Sequence, residues 1–139
     1  MTLLYITIRK MSKKGENVLA TLFVSGIILV ILDAIFLYFN RDTFEVQIAD
    51  VQRVTIQPKY LGFVLCYAFL IGGLYWFILR TRRPIWEAIL LGFFVYGVYE
   101  TTNYGTLKKW RWMTMLMDTL WGGALFGLTT LVTYEILDI

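Results

Sequence analysis

The sequence predicts an all-helical integral membrane fold, a four-helix antiparallel transmembrane bundle, and three observations predict it. Apolar residues make up 58% of the chain, where a soluble domain sits at roughly half. They concentrate in four runs, at 18–39, 60–79, 85–104 and 113–136, each close to the ~20 residues that a helix needs to cross a bilayer. The turns joining the second run to the third and the third to the fourth are short, which forces antiparallel neighbours. A chain of 139 residues suits a single membrane domain.

The chain opens with a short apolar segment, Met1 to Ile8, followed by a basic collar of Arg9, Lys10, Lys13 and Lys14. The apolar residues come before the basic ones, the reverse of a cleavable signal peptide. The segment is too short to span, so it reads as surface-lying or partner-binding. The first span, 18–39, carries one charge, Asp33. Between Asn40 and Lys59 the chain is polar. Asp42 and Glu45 resemble a helix-start box, and Phe44, Ile48 and Val51 fall on one helical face. The alternation Phe44, Val46, Ile48 suits a strand equally well; a short interfacial helix ended by Pro58 is the preferred reading. The second span, 60–79, is uncharged, and Gly62, Gly72 and Gly73 allow close helix contact. After a basic turn at 80–83, Pro84 suits the first turn of the third helix, with Glu87 in reach of Arg82 or Arg83. Lys108, Lys109, Trp110, Arg111 and Trp112 form a basic, aromatic turn of the kind that anchors at headgroup level. In the fourth span Gly123 and Gly127 have GxxxG spacing, a permission for close packing. Four spans put both termini on one side. The short-loop charge rule, with seven basic residues on that side against six on the other, leans to the cytoplasm.

The acids make the sequence informative. Asp33 and Glu100 each lie fifteen residues into their runs, ~22 Å from the terminal side at ~1.5 Å per residue. Asp118 lies five residues into a run of opposite direction, ~8 Å from the far side. In a ~30 Å core the three carboxylates share a level. Each would cost about 2.5–3.5 kcal/mol facing lipid, so they are expected to face inward. Thr102 and Asn103 follow Glu100, and Trp121 lies three residues after Asp118. Asp33, Glu100, Thr102, Asn103, Asp118 and Trp121 therefore form the candidate binding cluster, with Lys108, Lys109 and Arg111 as cationic neighbours reaching down from the turn. A purely structural reading stands beside this one: the polar knot locks the bundle, Asp118 favours the positive end of its helix, and Thr101, Thr102 and Asn103 only end the third helix, with Gly105 as its left-handed stop.

Absent residue types narrow the chemistry. With no histidine and with Cys66 as the one cysteine, an intramolecular disulfide, a zinc cluster and a Cys-His pair are excluded. No cofactor or metal set is visible. The basic residues are scattered over loops, which argues against nucleic acid as a partner.

Leu32-Asp33-Ala34-Ile35-Phe36-Leu37 resembles the LDxxWL element of DUF2177, a family of predicted membrane proteins. Tyr99-Glu100-Thr101-Thr102-Asn103-Tyr104-Gly105-Thr106-Leu107-Lys108-Lys109-Trp110 is similar to its YDxTNxATLKxW signature, and Met117-Asp118-Thr119-Leu120-Trp121-Gly122-Gly123 to its DxxWG element. Phe36, Glu100 and Gly105 stand where the bacterial pattern has tryptophan, aspartate and alanine. The YETTN and LKKW forms are closer in style to members from large DNA viruses and algae. The resemblance implies a four-helix membrane protein, puts the motif acids on Asp33, Glu100 and Asp118, and implies no activity.

Two functions follow as expectations. One is binding or transport of a cation, proton or small amphiphile, with a homo-oligomer completing the thin wall of four spans. The other is a structural or assembly role, for example as a viral membrane or capsid-associated component. An intramembrane enzyme acting on lipid, with Tyr99 or Tyr104 beside the carboxylates, is the least supported.

Overall fold

The computed structural model describes the backbone of residues 1–139 and the side chains of all but 11–16, so Lys13 and Lys14 of the basic collar lie outside the described side chains. The fold is all-helical: α1 (Thr2–Phe39), α2 (Arg41–Gln52), α3 (Tyr60–Leu74, continued by a π-helical turn at Tyr75–Leu79), α4 (Ile85–Thr106) and α5 (Trp112–Leu137). Three stretches are long and apolar enough to cross a membrane: Asn17–Phe39, Tyr60–Leu79 and Trp112–Leu137. α4 is long enough but less apolar, because Glu87, Glu100, Thr101, Thr102 and Asn103 all fall within it.

α5 lies at the centre. It packs most extensively on α4, and α1 covers it from another side; α3 leans mainly on α1. The α1 contact is a single ridge at i, i+4 spacing, Thr21, Ser25, Leu29 and Asp33, all buried. Thr21 and Ser25 satisfy their hydroxyls within the helix, on the carbonyls of Asn17 and Leu22, so the ridge brings in polarity without open hydrogen-bonding needs.

The α4–α5 seam is closer still. A Cβ on Gly92 would land on the Gly122 carbonyl and 2.8 Å from the Phe126 Cβ. One on Gly127 would lie 2.6 Å from Ile89 Cγ1, and one on Gly123 would lie 3.2 Å from the Ile89 carbonyl. Lipid tails are as apolar as the side chains, so helices associate there through packing and polar contacts rather than water exclusion. Small residues on both rods permit that packing, and the GxxxG spacing of Gly123 and Gly127 is used in this way.

Several expectations are corrected. Met1 to Ile8 is exposed, as a surface-lying segment would be, but it is continuous with the first span as the start of α1. Arg41–Gln52 of the 40–59 stretch is helical, yet Asp42 and Glu45 form no capping box: Asn40 is the N-cap, with no side-chain cap bond. α2 ends at Arg53, in left-handed conformation (φ 63°), five residues before Pro58. Gly62, Gly72 and Gly73 have nothing within 4 Å of a built Cβ. They are not contact points, because α3 meets the bundle along its other side; only 11% of its most apolar window is buried. Gly105 is no left-handed stop, since its φ is not positive and α4 runs on to Thr106. Pro84 is the N-cap of α4 rather than a residue of its first turn.

Candidate functional site

α1, α3, α4, α5 and the α4–α5 turn bring six polar side chains together around two acid nodes. The first node is Asp33. Its Oδ2 accepts from the Tyr67 hydroxyl of α3 at 2.6 Å, and its Oδ1 accepts from the Trp121 indole of α5 at 2.9 Å. Phe36, one turn further along α1, stacks on the Trp121 ring at 4.4 Å and 5° and fixes the indole's direction. A carboxylate has about four lone-pair positions, and the described residues use two of those on Asp33.

The second node is Glu100 with Asp118. Glu100 is 0% exposed and Asp118 8%. The Trp110 indole, from the α4–α5 turn, donates to Glu100 Oε2 at 2.8 Å. Oε1 is buried and finds no donor among the described residues. The Glu100 and Asp118 carboxyls are close enough to share a hydrogen bond. Two ionised carboxylates are both acceptors only, so a hydrogen bond between them needs one of the two acids to be protonated. Asp33 lies within electrostatic reach of Asp118. The three acids do not form a single ligand set, however: no group of three or more Asp, Glu, Cys or His side chains could hold a metal among the described residues.

The expected cationic neighbours are not at the acids. Arg111 pairs with Asp50 of α2 at 2.8 Å. Lys108 and Lys109 are exposed. Thr102 is exposed as well, and Asn103 is half-buried, with its carbonyl accepting the Leu107 N–H at the end of α4. The local reason is Trp110: its ring turns into the bundle to meet Glu100 instead of anchoring outward, and the lysines before it are left facing away. At the other end Glu87 binds Arg83 bidentately at 2.6 and 2.9 Å, as its position one turn on from Arg83 suggests.

Three residues escaped the sequence reading. Tyr67 lies in an uncharged span with nothing beside it in sequence to mark it. Trp110 reads as an interfacial anchor. Gln47 is fully buried on α2, where its Nε2 donates to the Lys109 carbonyl at 2.8 Å and its Oε1 accepts from the Arg111 N–H at 2.8 Å and the Thr114 hydroxyl at 3.1 Å. The signal was present: Gln47 falls between Phe44 and Ile48 on the face of α2 that turns inward. Two grooves, of about 570 and 390 Å³, are apolar and open, lie along α1 around Phe23 and Ile27, and touch none of the acids.

Three membrane-length apolar helices and acids hidden within the fold define the class, a membrane protein. The chain belongs to the DUF2177 family of predicted membrane proteins, whose sequence profile matches residues 18–135. No curated protein and no solved structure matches the chain.

Proposed function

We propose that the chain is a four-span antiparallel bundle, with α4 as the fourth span and α2 lying at the interface, that binds a proton at the Glu100–Asp118 pair inside the membrane. The observation that carries this reading is the contact of two buried acids with one neutral donor, the Trp110 indole, and no cationic side chain paired with them among the described residues. Leaving both charged in a low-dielectric interior would cost several kcal/mol. One proton shared across the contact removes the repulsion and supplies the donor that Glu100 Oε1 needs. A metal ion fits less well, because the pair offers two carboxyls and no third ligand. Carriage of the proton across the bilayer would call for a homo-oligomer, since one bundle makes a thin wall.

The test is infrared spectroscopy of the chain in phosphatidylcholine bilayers at neutral pH. A protonated-carboxyl band is expected in the native chain and is lost in Glu100→Gln and Asp118→Asn. Both variants should still fold, because an amide can donate to the remaining carboxylate. A native spectrum with no such band would overturn the proposal.

A structural or assembly role remains the second reading, favoured by the way Tyr67, Trp110 and Trp121 each spend a donor on an acid of another element. On that reading the same variants lose thermal stability in detergent, the band does not form, and partners, for example in a capsid-lined membrane, cross-link at α2 or the start of α1.

A further inference from the structure

The apolar stretch Tyr60–Leu79, long enough to cross a membrane, ends in a turn that carries Arg80, Arg82 and Arg83. Residues just past a span sit at headgroup level. The turn is fixed by its own backbone in a Schellman arrangement. Arg82 is left-handed (φ 52°), its N–H bonds the Leu79 carbonyl at 3.2 Å, and the Arg83 N–H bonds the Ile78 carbonyl at 2.9 Å. From α5 the Tyr134 hydroxyl donates to the Arg83 carbonyl at 2.7 Å. The Arg83 side chain is committed to Glu87. Arg80 and Arg82 are exposed and form no ion pair among the described residues. Glycine is the usual residue at a left-handed helix end and would sit there with less strain, so the fold itself does not call for Arg82.

Arg80 is held in place by an aromatic ring. Its guanidinium carbon lies 3.8 Å from the centre of the Trp76 ring, one turn back in the π-helical end of α3. A cation over an indole is positioned without spending its N–H donors. Trp76 is exposed, so this contact lies on the outward face of α3. Phe69, also exposed, and Gly72 and Gly73 continue that face at helical spacing. A Cβ on either glycine would meet nothing within 4 Å, which leaves an apolar recess between Phe69 and Trp76, on the membrane side of Arg80. We infer that Arg80 and Arg82 form a headgroup site for an anionic phospholipid, with an acyl chain lying in the recess at Gly72 and Gly73. Two guanidiniums on a rigid turn match a phosphate in charge and in hydrogen-bonding geometry. The recess that continues from them into the apolar span suits a phospholipid and gives nothing to a phosphate ion from water.

The experiment titrates the full chain in detergent with dioleoyl phosphatidylglycerol or dioleoyl phosphatidylcholine and measures bound lipid by native mass spectrometry. Phosphatidylglycerol is expected to bind at least about fivefold more tightly, the worth of one basic residue at an anionic surface. Arg82→Gly relieves the left-handed position, so it should melt no lower than the native chain while binding phosphatidylglycerol about fivefold more weakly. Arg80→Gln should lose a similar factor, and Arg82→Gly decides alone if that variant does not fold. A chain with both Arg9→Gln and Lys10→Gln, which lowers basic charge elsewhere, should bind as the native chain does. Equal affinity for the two lipids overturns the site, and so does native affinity in Arg82→Gly. Lost binding accompanied by a lower melting point in Arg82→Gly overturns it by making the arginine structural. Loss in the Arg9→Gln, Lys10→Gln chain overturns it by moving the lipid to the start of α1. Displacement of phosphatidylglycerol by millimolar inorganic phosphate overturns it by assigning the turn to a free anion.

Discussion

Single side chains fix this fold by satisfying atoms that the helices leave open. Gln47 is the clearest case. The first N–H groups of a helix have no partner within it. At the start of α5 no side chain of the helix itself caps them; Gln47 does so from α2, where its amide also binds the Lys109 carbonyl. Gln47→Ala removes three hydrogen bonds at once, each worth about 0.5–1.5 kcal/mol. The expected loss is about 2–4 kcal/mol, read as a lower midpoint in denaturant titration in detergent. Gln47→Glu keeps the acceptor for Arg111 and Thr114 but turns a carboxylate toward the Lys109 carbonyl, so it should fall between Ala and native. Equal midpoints for all three proteins would show that α2 is not held by this residue.

At the scale of the helix, legibility in sequence follows contact distance. α1, α3 and α5 were readable because a membrane span is a local property of about twenty residues, and the burial of Asp33 and Glu100 follows from the cost of an acid facing lipid. Their donors were not readable: Tyr67 reaches Asp33 across 34 positions and Trp121 reaches it across 88, and no local pattern encodes such pairings. Glycines divide in the same way. Gly123 and Gly127 are marked by spacing. The tightest position, Gly92, is not, because its need is set by the Gly122 backbone on another rod, while Gly62 and Gly73 have the same residue type and open surroundings. The contrast is testable. Gly92→Ala should cost about 1–3 kcal/mol or more through overpacking of α4 on α5. Gly62→Ala should change stability by no more than about 1 kcal/mol, on the stabilising side, through helix propensity. Thermal unfolding of the two variants in one detergent checks both, and a Gly92→Ala protein as stable as Gly62→Ala would refute the packing of that seam.

For the whole molecule the question is where α4 belongs. Average apolarity undervalues it, because an average counts side chains that never meet lipid. Glu100 is fully covered by α5 and Trp110, and Glu87 is neutralised by Arg83. What α4 presents outward is Leu90, Phe94, Val95 and Val98, all exposed in the isolated chain. A contiguous apolar face of that kind is unfavourable in water and at home among acyl chains. The full cost of an acid at the bilayer centre, about 2.5–3.5 kcal/mol, applies only to a lone helix; one paired with α5 before or during insertion avoids it. Parity makes the argument decidable. With four spans, Met1 and Ile139 lie on the same side of the membrane; with α4 excluded and three spans, they lie on opposite sides. Single cysteines placed near each end, in a chain with Cys66→Ala, can be labelled in sealed vesicles with a maleimide that does not cross bilayers. Both ends are expected to react from the same face, together with cysteines placed in the 80–83 turn, while cysteines in the 107–111 turn react only from the other. Termini that label from opposite faces would put α4 outside the membrane and leave its outward apolar face without a solvent to suit it.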